Sequence, residues 1–245
     1  TDSINKCIEF LEGNPSYIGA HGKAALINVS SDGGYGRIGG LGPYNLPVIN
    51  VKTGAQRLKQ WLIDQLYNLN MSVYRTKDQL AAYSNINSLS YLHSSFIFEE
   101  LTHGSIMVIR GKIAELDCLY LLRQAHSNQY YHSIDVYEWF ADSEWYSAYT
   151  IVHDRVLEEL VLQDQISLEE AHNIFKEVFW AWYSRALNNS WNTYQQKSAV
   201  FYKALDKSNL TNNASKQSAL KNIMKLVPGA KNIASVVRSK QVALR

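Results

Sequence analysis

Apolar side chains recur along the first part of this chain with two different spacings. In residues 2–12 they fall at intervals of three and four, which predicts an amphipathic helix, and residues 54–68 repeat the pattern. Residues 17–29 are rich in β-formers and predict one or two strands, whereas the glycine-rich residues 30–50 predict a long loop or an irregular hairpin. The apolar face of the first helix comprises Ile4, Cys7, Ile8 and Leu11.

The segment from 71 to 124 continues this alternation of helix and strand. Thr76 is expected to cap the first of two short helices, and Gly104 to end the second. Gly111 is expected to separate the last two strands. Strands are predicted at 71–75, 105–110 and 113–124, and helices at 77–83 and 95–101.

From about residue 134 onward the strand pattern stops and the chain becomes helical and aromatic. Ser167 and Glu170 have the spacing of a capping box at the start of one of these helices. The tryptophans here are expected to pack a helical bundle or to form a stacking platform for a sugar. Helices are predicted at 135–152, 154–162, 167–187 and 190–205.

These patterns predict an α/β fold, a mixed sheet with flanking helices, followed by an all-α region. We place the boundaries at 1–133 for the α/β domain, 134–206 for the helical bundle and 207–245 for a basic, weakly amphipathic tail. Hydrophobic residues make up 46% of the chain and charged residues 19%, which is typical of a folded globular protein. No apolar run approaches the roughly 18 to 20 residues of a membrane span.

Charge and cysteine content narrow the function classes further. Cys7 and Cys118 form no paired motif, so we expect buried thiols rather than a disulfide framework or a zinc site. Residues 207–245 carry eight bases and no acid. That tail is expected to contact an anionic membrane surface, or else only to solubilise the chain or to lie against the acidic helices. No motif for stacking on bases accompanies it, so we expect no nucleic-acid partner.

One segment carries a pattern that points to chemistry, between residues 96 and 128. An acidic pair at the start of a helix precedes a glycine, a strand, and then a Tyr-x-x-Arg-x-x-His sequence. The residues at these positions are Glu99, Glu100, Gly111, Tyr120, Arg123 and His126.

This order resembles the second half of family-2-like glycosyltransferases of the GT-A fold. Residues 8–22 are similar to the helix and strand that follow that family's metal-binding Asp-x-Asp motif, and residues 71–80 are similar to the strand and turn before its acidic pair. The resemblance covers roughly residues 1–130. It implies a partial GT-A-like sheet and an inverting transfer of a sugar from a nucleotide-sugar donor to a polysaccharide or glycolipid acceptor, lipid-linked acceptors included.

The resemblance also implies roles for particular residues. Glu100 takes the position of the base that accepts the proton of the acceptor hydroxyl, with Glu99 beside it. His126 takes the position of a ligand to a divalent metal, Mg or Mn, which is expected in the complete enzyme. The candidate contacts to the donor phosphates are Arg123, Arg75 and Lys112.

Each of these positions also has a structural interpretation. The two glutamates are then solvated acids near a helix N-terminus, and Arg123 forms an ion pair with Glu100 or Asp117. Arg75 and Lys112 are then surface charges, and His126 bonds to backbone. His21 and His103 are weaker candidates for a ligand or acceptor contact.

The chain departs from the family in two respects. An Asp-x-Asp motif and the donor-binding half are expected before Thr1, so we expect a fragment of a longer enzyme. The acidic pair is Glu-Glu where the family usually has Glu-Asp. We expect a cytoplasmic protein, which contacts the inner face of the membrane if the basic tail binds anionic lipid. The alternative is a non-catalytic α/β and helical module that binds another protein.

Overall fold

Helices and strands alternate in the first half of the chain, and the described residues from 144 onward are helical. A computed structural model describes residues 2–29, 38–65, 69–84, 95–125 and 144–207. The strands are β1 (Tyr17–Val29), β2 (Ile38–Tyr44), β3 (Val73–Tyr74) and β4 (Lys112–Ala125). The helices are α1 (Asp2–Gly13), α2 (Gly54–Lys59), which continues as a π-helical segment over Gln60–Gln65, α3 (Thr76–Tyr83), α4 (Ser95–Arg110), α5 (Trp145–Asp164) and α6 (Leu168–Lys207).

The sheet is mixed, with β1 as its central strand. Strand β4 runs parallel to β1 along almost its whole length, from the pair Tyr17–Lys112 to the pair Asn28–Ala125. Strand β2 pairs antiparallel with the second half of β1, and β3 pairs antiparallel with its first half. The predicted mixed α/β class is therefore confirmed. Within the segment predicted as a long loop or an irregular hairpin, residues 38–44 return along β1 as a hairpin strand does, and residues 30–37 lie outside the described residues.

Helix α1 packs one apolar stripe against the sheet. Cys7 and Leu11 are buried there, but Ile4 and Ile8 remain 49% and 43% exposed, so the buried stripe is narrower than predicted. Burial raises the pKa of the Cys7 thiol, and neither Cys7 nor Cys118 is in a disulfide. The hydrophobic cluster between α1 and the sheet consists of Cys7, Leu11 and Ala20, with Phe10, Tyr17, Val73, Leu116 and Tyr120 packed around it.

Helix α4 corrects two predictions. Residues 105–110 are helical, not a strand, and Gly104 lies inside the helix instead of ending it. The apolar run Ile106–Ile109 is fully buried, and a short apolar run that is buried all round has no period that separates helix from strand. Ile106 and Met107 pack against Ile18 of β1 and Ala82 of α3.

Only Gly111 separates the end of α4 from the start of β4. A side chain at this position would meet the side chain of Ile18, with a Cβ only 2.5 Å from its Cγ2 atom. The glycine therefore allows the chain to pass from helix to strand directly against β1. The predicted strand at 113–124 is confirmed as β4.

The amino end of α2 is tied to the ends of two other helices. Thr53 caps it with a capping box, and Asp164, the last residue of α5, accepts hydrogen bonds from the Gly54 and Ala55 backbone amides. The buried Arg57 donates to the carbonyls of Val108 and Ile109 at the end of α4. A cation suits the carboxyl end of a helix and a carboxylate suits the amino end, so both contacts stabilise this junction.

Helices α5 and α6 pack through aromatic side chains. Trp145 and Tyr149 of α5 contact the α6 rings at centroid distances of 5.0 to 6.4 Å, and Trp145 also meets the buried Phe98 of α4 edge-on. Bundle packing therefore accounts for the buried Trp145 and Trp182. The α6 rings that contact Trp145 or Tyr149 are Phe175, Phe179, Trp180 and Tyr183.

Several predicted helix boundaries are wrong. The break before Asp154 and the break near residue 188 do not occur, because α5 and α6 run through both positions. Thr76 is the first residue of α3, and Arg75 stands at the cap position without a side-chain cap bond. The Ser167 cap is confirmed, since its hydroxyl accepts a hydrogen bond from the Glu170 amide at 3.1 Å.

The described residues fall into two compact units. Residues up to 125 and from 144 to 183 belong to one, and residues 184–207 belong to the other. The predicted boundary at 133/134 and the basic tail after 207 lie outside the described residues. Across the ranges that the structure covers, no helix is both long enough and apolar enough to cross a membrane.

Candidate functional site

The parallel pair β1 and β4 sets where a site is expected. In open sheets of parallel strands, ligands bind outside the carboxyl ends of the strands. At this end of the pair, Asn28 pairs with Ala125 and Leu26 pairs with Arg123. His126, the predicted metal ligand, follows Ala125 directly and lies outside the described residues.

Arg123 is the predicted phosphate contact at this carboxyl end. Its guanidinium stacks over the ring of Tyr44 at 5.0 Å from the centroid, and its Nη1 atom donates to the Tyr44 hydroxyl. The predicted ion pair with Asp117 does not form, because Asp117 binds Lys23 at 2.6 Å instead. Tyr44 therefore holds Arg123 in one orientation across β1, the strand that lies between β4 and β2.

The other two cations lie at the opposite end of β1. Arg75 donates from Nε and Nη2 to the carbonyls of Tyr17, Leu11 and Asn14, where α1 ends and β1 begins. These bonds stabilise the carboxyl end of α1 and argue against a phosphate-binding role. Lys112 places its ammonium over the ring of Tyr17. The structure therefore does not bring Arg75 and Lys112 together with Arg123.

The acidic pair lies near the start of α4. Glu99 and Glu100 are half-buried, one turn before His103. They occupy a helix that leads through Gly111 into β4, so the helix, the glycine and the strand follow in the order that the sequence pattern requires. The other end of α4, next to its junction with β4, is occupied by Arg110 and not by an acidic residue.

The two weaker histidine candidates are structural. His21 is fully buried within β1, and its ring nitrogens each lie 3.0 Å from a backbone carbonyl oxygen, those of Gly22 and Pro47. His103 bonds to the Gln79 side chain and stacks on Tyr83. Burial lowers the pKa of His103 to about 4, so its imidazole is neutral near neutral pH.

A different group of side chains forms a hydrogen-bonded chain that the sequence patterns did not reveal. His153 of α5 places Nδ1 2.8 Å from the Asp154 carboxylate and Nε2 3.0 Å from Nδ1 of His172 on α6. These groups line an open groove of about 850 Å³. The other residues of the groove are Leu157, Glu158, Leu168 and Glu169.

The two histidines are 19 positions apart, so only the antiparallel packing of α5 on α6 brings them together. The one signal in the sequence was a histidine at the predicted break before residue 154 and another on the predicted helix at 167–187, and it gave no register. The interpretation of 154–162 as a separate helix also placed His153 in a loop. Within the described ranges, no group of three or more His, Cys, Asp or Glu side chains is drawn together around a common point for a metal ion.

Comparison of the chain with protein-family models, with curated proteins and with solved structures gave no match. The assignment of function therefore rests on the residues and their geometry.

Proposed function

We propose that this chain is the acceptor- and base-bearing part of a glycosyltransferase, which transfers a sugar from a nucleotide-sugar donor to a polysaccharide or glycolipid acceptor. One observation carries the proposal. The helix with the acidic pair leads through a single glycine into a strand parallel to β1, and that strand bears Tyr120 and Arg123 and ends immediately before His126. This is the order of elements that the resemblance to family-2-like glycosyltransferases implies.

Glu100 is the proposed base. Its carboxylate would accept the proton of the acceptor hydroxyl while that oxygen attacks the anomeric carbon of the donor sugar, and the nucleoside diphosphate leaves with the electrons of the broken bond. Glu99 occupies the adjacent position on α4, so it is the natural reference for the effect of charge alone.

Arg123 is the proposed contact to the departing diphosphate. A guanidinium offers planar pairs of donors to phosphate oxygens, and the Tyr44 hydroxyl accepts a hydrogen bond from the Nη1 atom of Arg123 alone. Its place near the carboxyl end of β4 agrees with the general position of ligands in sheets of parallel strands. Among the described residues no group of three His, Cys, Asp or Glu side chains surrounds a common point, and the predicted ligand His126 lies outside them.

The test measures nucleotide release and sugar transfer by the polypeptide that contains this chain. A panel of UDP-, GDP- and dTDP-sugars is supplied with Mg²⁺ and Mn²⁺ and with lipid extracts as acceptor. The substitution Glu100→Gln keeps the size of the side chain and removes the base, so kcat should fall by about 10² to 10⁴. Arg123→Gln should weaken donor binding and raise KM.

The matched control is Glu99→Gln, which removes the same charge one residue away and should lower kcat by less than about tenfold. Equal losses in the two variants would show that net charge matters and Glu100 has no special role. A wild-type polypeptide that releases no nucleotide from any donor would contradict the proposal and would favour a protein-binding module.

A further inference from the structure

The facing imidazoles of His153 and His172 have no role in the proposed sugar transfer. They lie on α5 and α6, in the groove whose walls include Leu157 and Leu168. His172 is exposed, whereas the His153 side chain is only 18% exposed and packs against the ring of Phe175. One imidazole is therefore held rigidly, and the other faces solvent.

The hydrogen bonds fix which nitrogen of His153 carries the proton. A carboxylate accepts only, so His153 donates from Nδ1 to Asp154, and in its neutral form it presents the lone pair of Nε2 to His172. A carboxylate bound to the far nitrogen is also the usual outer partner of a metal-ligating histidine, where it orients the ring and raises its basicity. Asp154 thus prepares Nε2 of His153 for binding.

The spacing of the two nitrogens fits a shared ion. Ligand nitrogens lie about 2.0 to 2.1 Å from Zn²⁺, which puts two neighbouring ligands of one ion roughly 3.0 to 3.4 Å apart. Nε2 of His153 and Nδ1 of His172 are 3.0 Å apart. The His172 proton has to move to its Nε2 atom, which changes the tautomer and leaves the imidazole neutral.

We propose that His153 and His172 bind a divalent transition-metal ion in this groove. Imidazole pairs favour Zn²⁺, Cu²⁺ and Ni²⁺, whereas Mg²⁺ and Ca²⁺ prefer oxygen ligands. Glu169 precedes His172 by three positions and lines the same groove, so both side chains lie on one face of α6. The Glu169 carboxylate becomes a third ligand when its side chain turns towards the imidazoles, and water completes the coordination.

The other carboxylates of the groove have different roles. Glu158 pairs with Arg155 at 2.9 Å, and Asp154 is held by His153. The protein therefore supplies two neighbouring imidazoles, which exchange their mutual hydrogen bond for the ion, and one carboxylate that turns towards them. Such a site binds more weakly than a closed structural zinc site with four protein ligands. The proposed metal site does not depend on the proposed sugar transfer, because the two involve different residues.

The test is a titration of the tag-free full chain with ZnSO₄, followed by calorimetry and by the imidazole signals in ¹H–¹⁵N NMR spectra. In the wild-type protein, the resonances of His153 and His172 should shift together at one equivalent. His172→Ala and His153→Ala should each remove that equivalent, and Asp154→Asn should weaken it by about 10 to 100-fold. Glu169→Gln should weaken it by a smaller factor.

Two neighbouring exposed residues provide controls, since neither lines the groove. Asn173→Ala and Glu170→Gln should bind zinc as the wild-type chain does. Unchanged zinc binding in His172→Ala would overturn the proposal. The NMR measurement needs no variant, so it decides the question even if His153→Ala fails to fold, and signals of His153 and His172 that do not move with zinc would also overturn it.

Discussion

His103 is a buried titratable group whose ionisation opposes folding. It lies on α4, stacked on Tyr83 at a centroid distance of 4.5 Å, and burial lowers the pKa of its imidazole from 6.5 to about 4. His103 takes up a proton below about pH 6.5 in the unfolded chain, but only below about pH 4 in the folded chain. Stability should therefore fall as the pH drops through this window, by up to about 3 kcal/mol from this group.

The substitution His103→Phe isolates this contribution, because it keeps a ring against Tyr83 and removes the titratable group. Urea unfolding of both proteins from pH 7.5 to pH 4 is the measurement. The difference in unfolding free energy between wild type and variant should shift in favour of the variant as the pH falls. Parallel curves for the two proteins would show that the histidine is not the source of the pH dependence.

At the level of single side chains, the sequence could propose a residue type for a role but not its neighbours. Arg75, Lys112 and Arg123 were equivalent candidates for phosphate contact. The structure separates them, because Arg75 binds backbone carbonyls near the start of β1 while Arg123 lies near its carboxyl end. The pairing of His153 with His172 was not predicted, since it depends on the register between two helices.

Gly104 shows how closely α4 approaches its neighbours. A Cβ atom at this position would lie 2.2 Å from the ring of the buried Trp61 and 3.0 Å from Leu69. Alanine improves helix propensity by about 1 kcal/mol, but overpacking of a core costs typically 1 to 3 kcal/mol and here meets a rigid ring. Gly104→Ala should therefore destabilise the protein, by about 1 to 3 kcal/mol in urea unfolding.

The matched control is Gly13→Ala at the end of α1, because no atom beyond its chain neighbours and its own helix backbone lies within 4 Å of its Cβ position. This variant should be neutral or stabilised by up to about 1 kcal/mol. If both substitutions shift the urea midpoint by the same amount, then the contact with Trp61 has no energetic significance and α4 packs more loosely than the structure indicates.

The hydrogen bonds between the end of α5 and the start of α2 lead to a second prediction, about the stability of the contact between these helices. The two carboxylate oxygens of Asp164 accept hydrogen bonds from the Gly54 and Ala55 amides at 2.6 and 2.7 Å. Asp164→Ala removes both and should cost about 1 to 2 kcal/mol in unfolding free energy. Asp164→Asn keeps one acceptor oxygen, so its unfolding free energy should lie between those of the wild type and Asp164→Ala. Asp117→Ala, which removes only the exposed pair with Lys23, should change stability by less than about 1 kcal/mol.

The elements that the sequence predicted correctly are those whose own residues carry a clear helix or strand pattern. The spacing in α1 and the β-formers of β1 identify each element without knowledge of the rest of the chain. Residues 105–110 were assigned to a strand because Ile106, Val108 and Ile109 favour strands locally. Packing of the whole helix on β1, α3 and α5 decides the outcome instead, and the glycine at 104 is required for contact with Trp61, not for a turn.

At the scale of the described molecule, Arg110 is the point where α3, α4 and α5 are joined. Its guanidinium binds Asp78 at 3.0 Å and Glu159 at 2.9 Å, and the side chains of these acids are only 7% and 8% exposed. Gln163 donates a further hydrogen bond to Glu159. One cation thus compensates two buried carboxylates, and neither acid can be solvated if the cation is removed.

Arg110→Met should therefore cost about 3 to 5 kcal/mol of unfolding free energy, since removal of one partner from a buried ion pair leaves uncompensated charge. Addition of Asp78→Asn and Glu159→Gln removes that charge and should recover much of the loss, although each single change alone destabilises. Arg155→Met, which removes a pair with the exposed Glu158, should cost less than about 1 kcal/mol. A triple variant no more stable than Arg110→Met would show that the three helices are held by the arginine's packing and not by charge compensation.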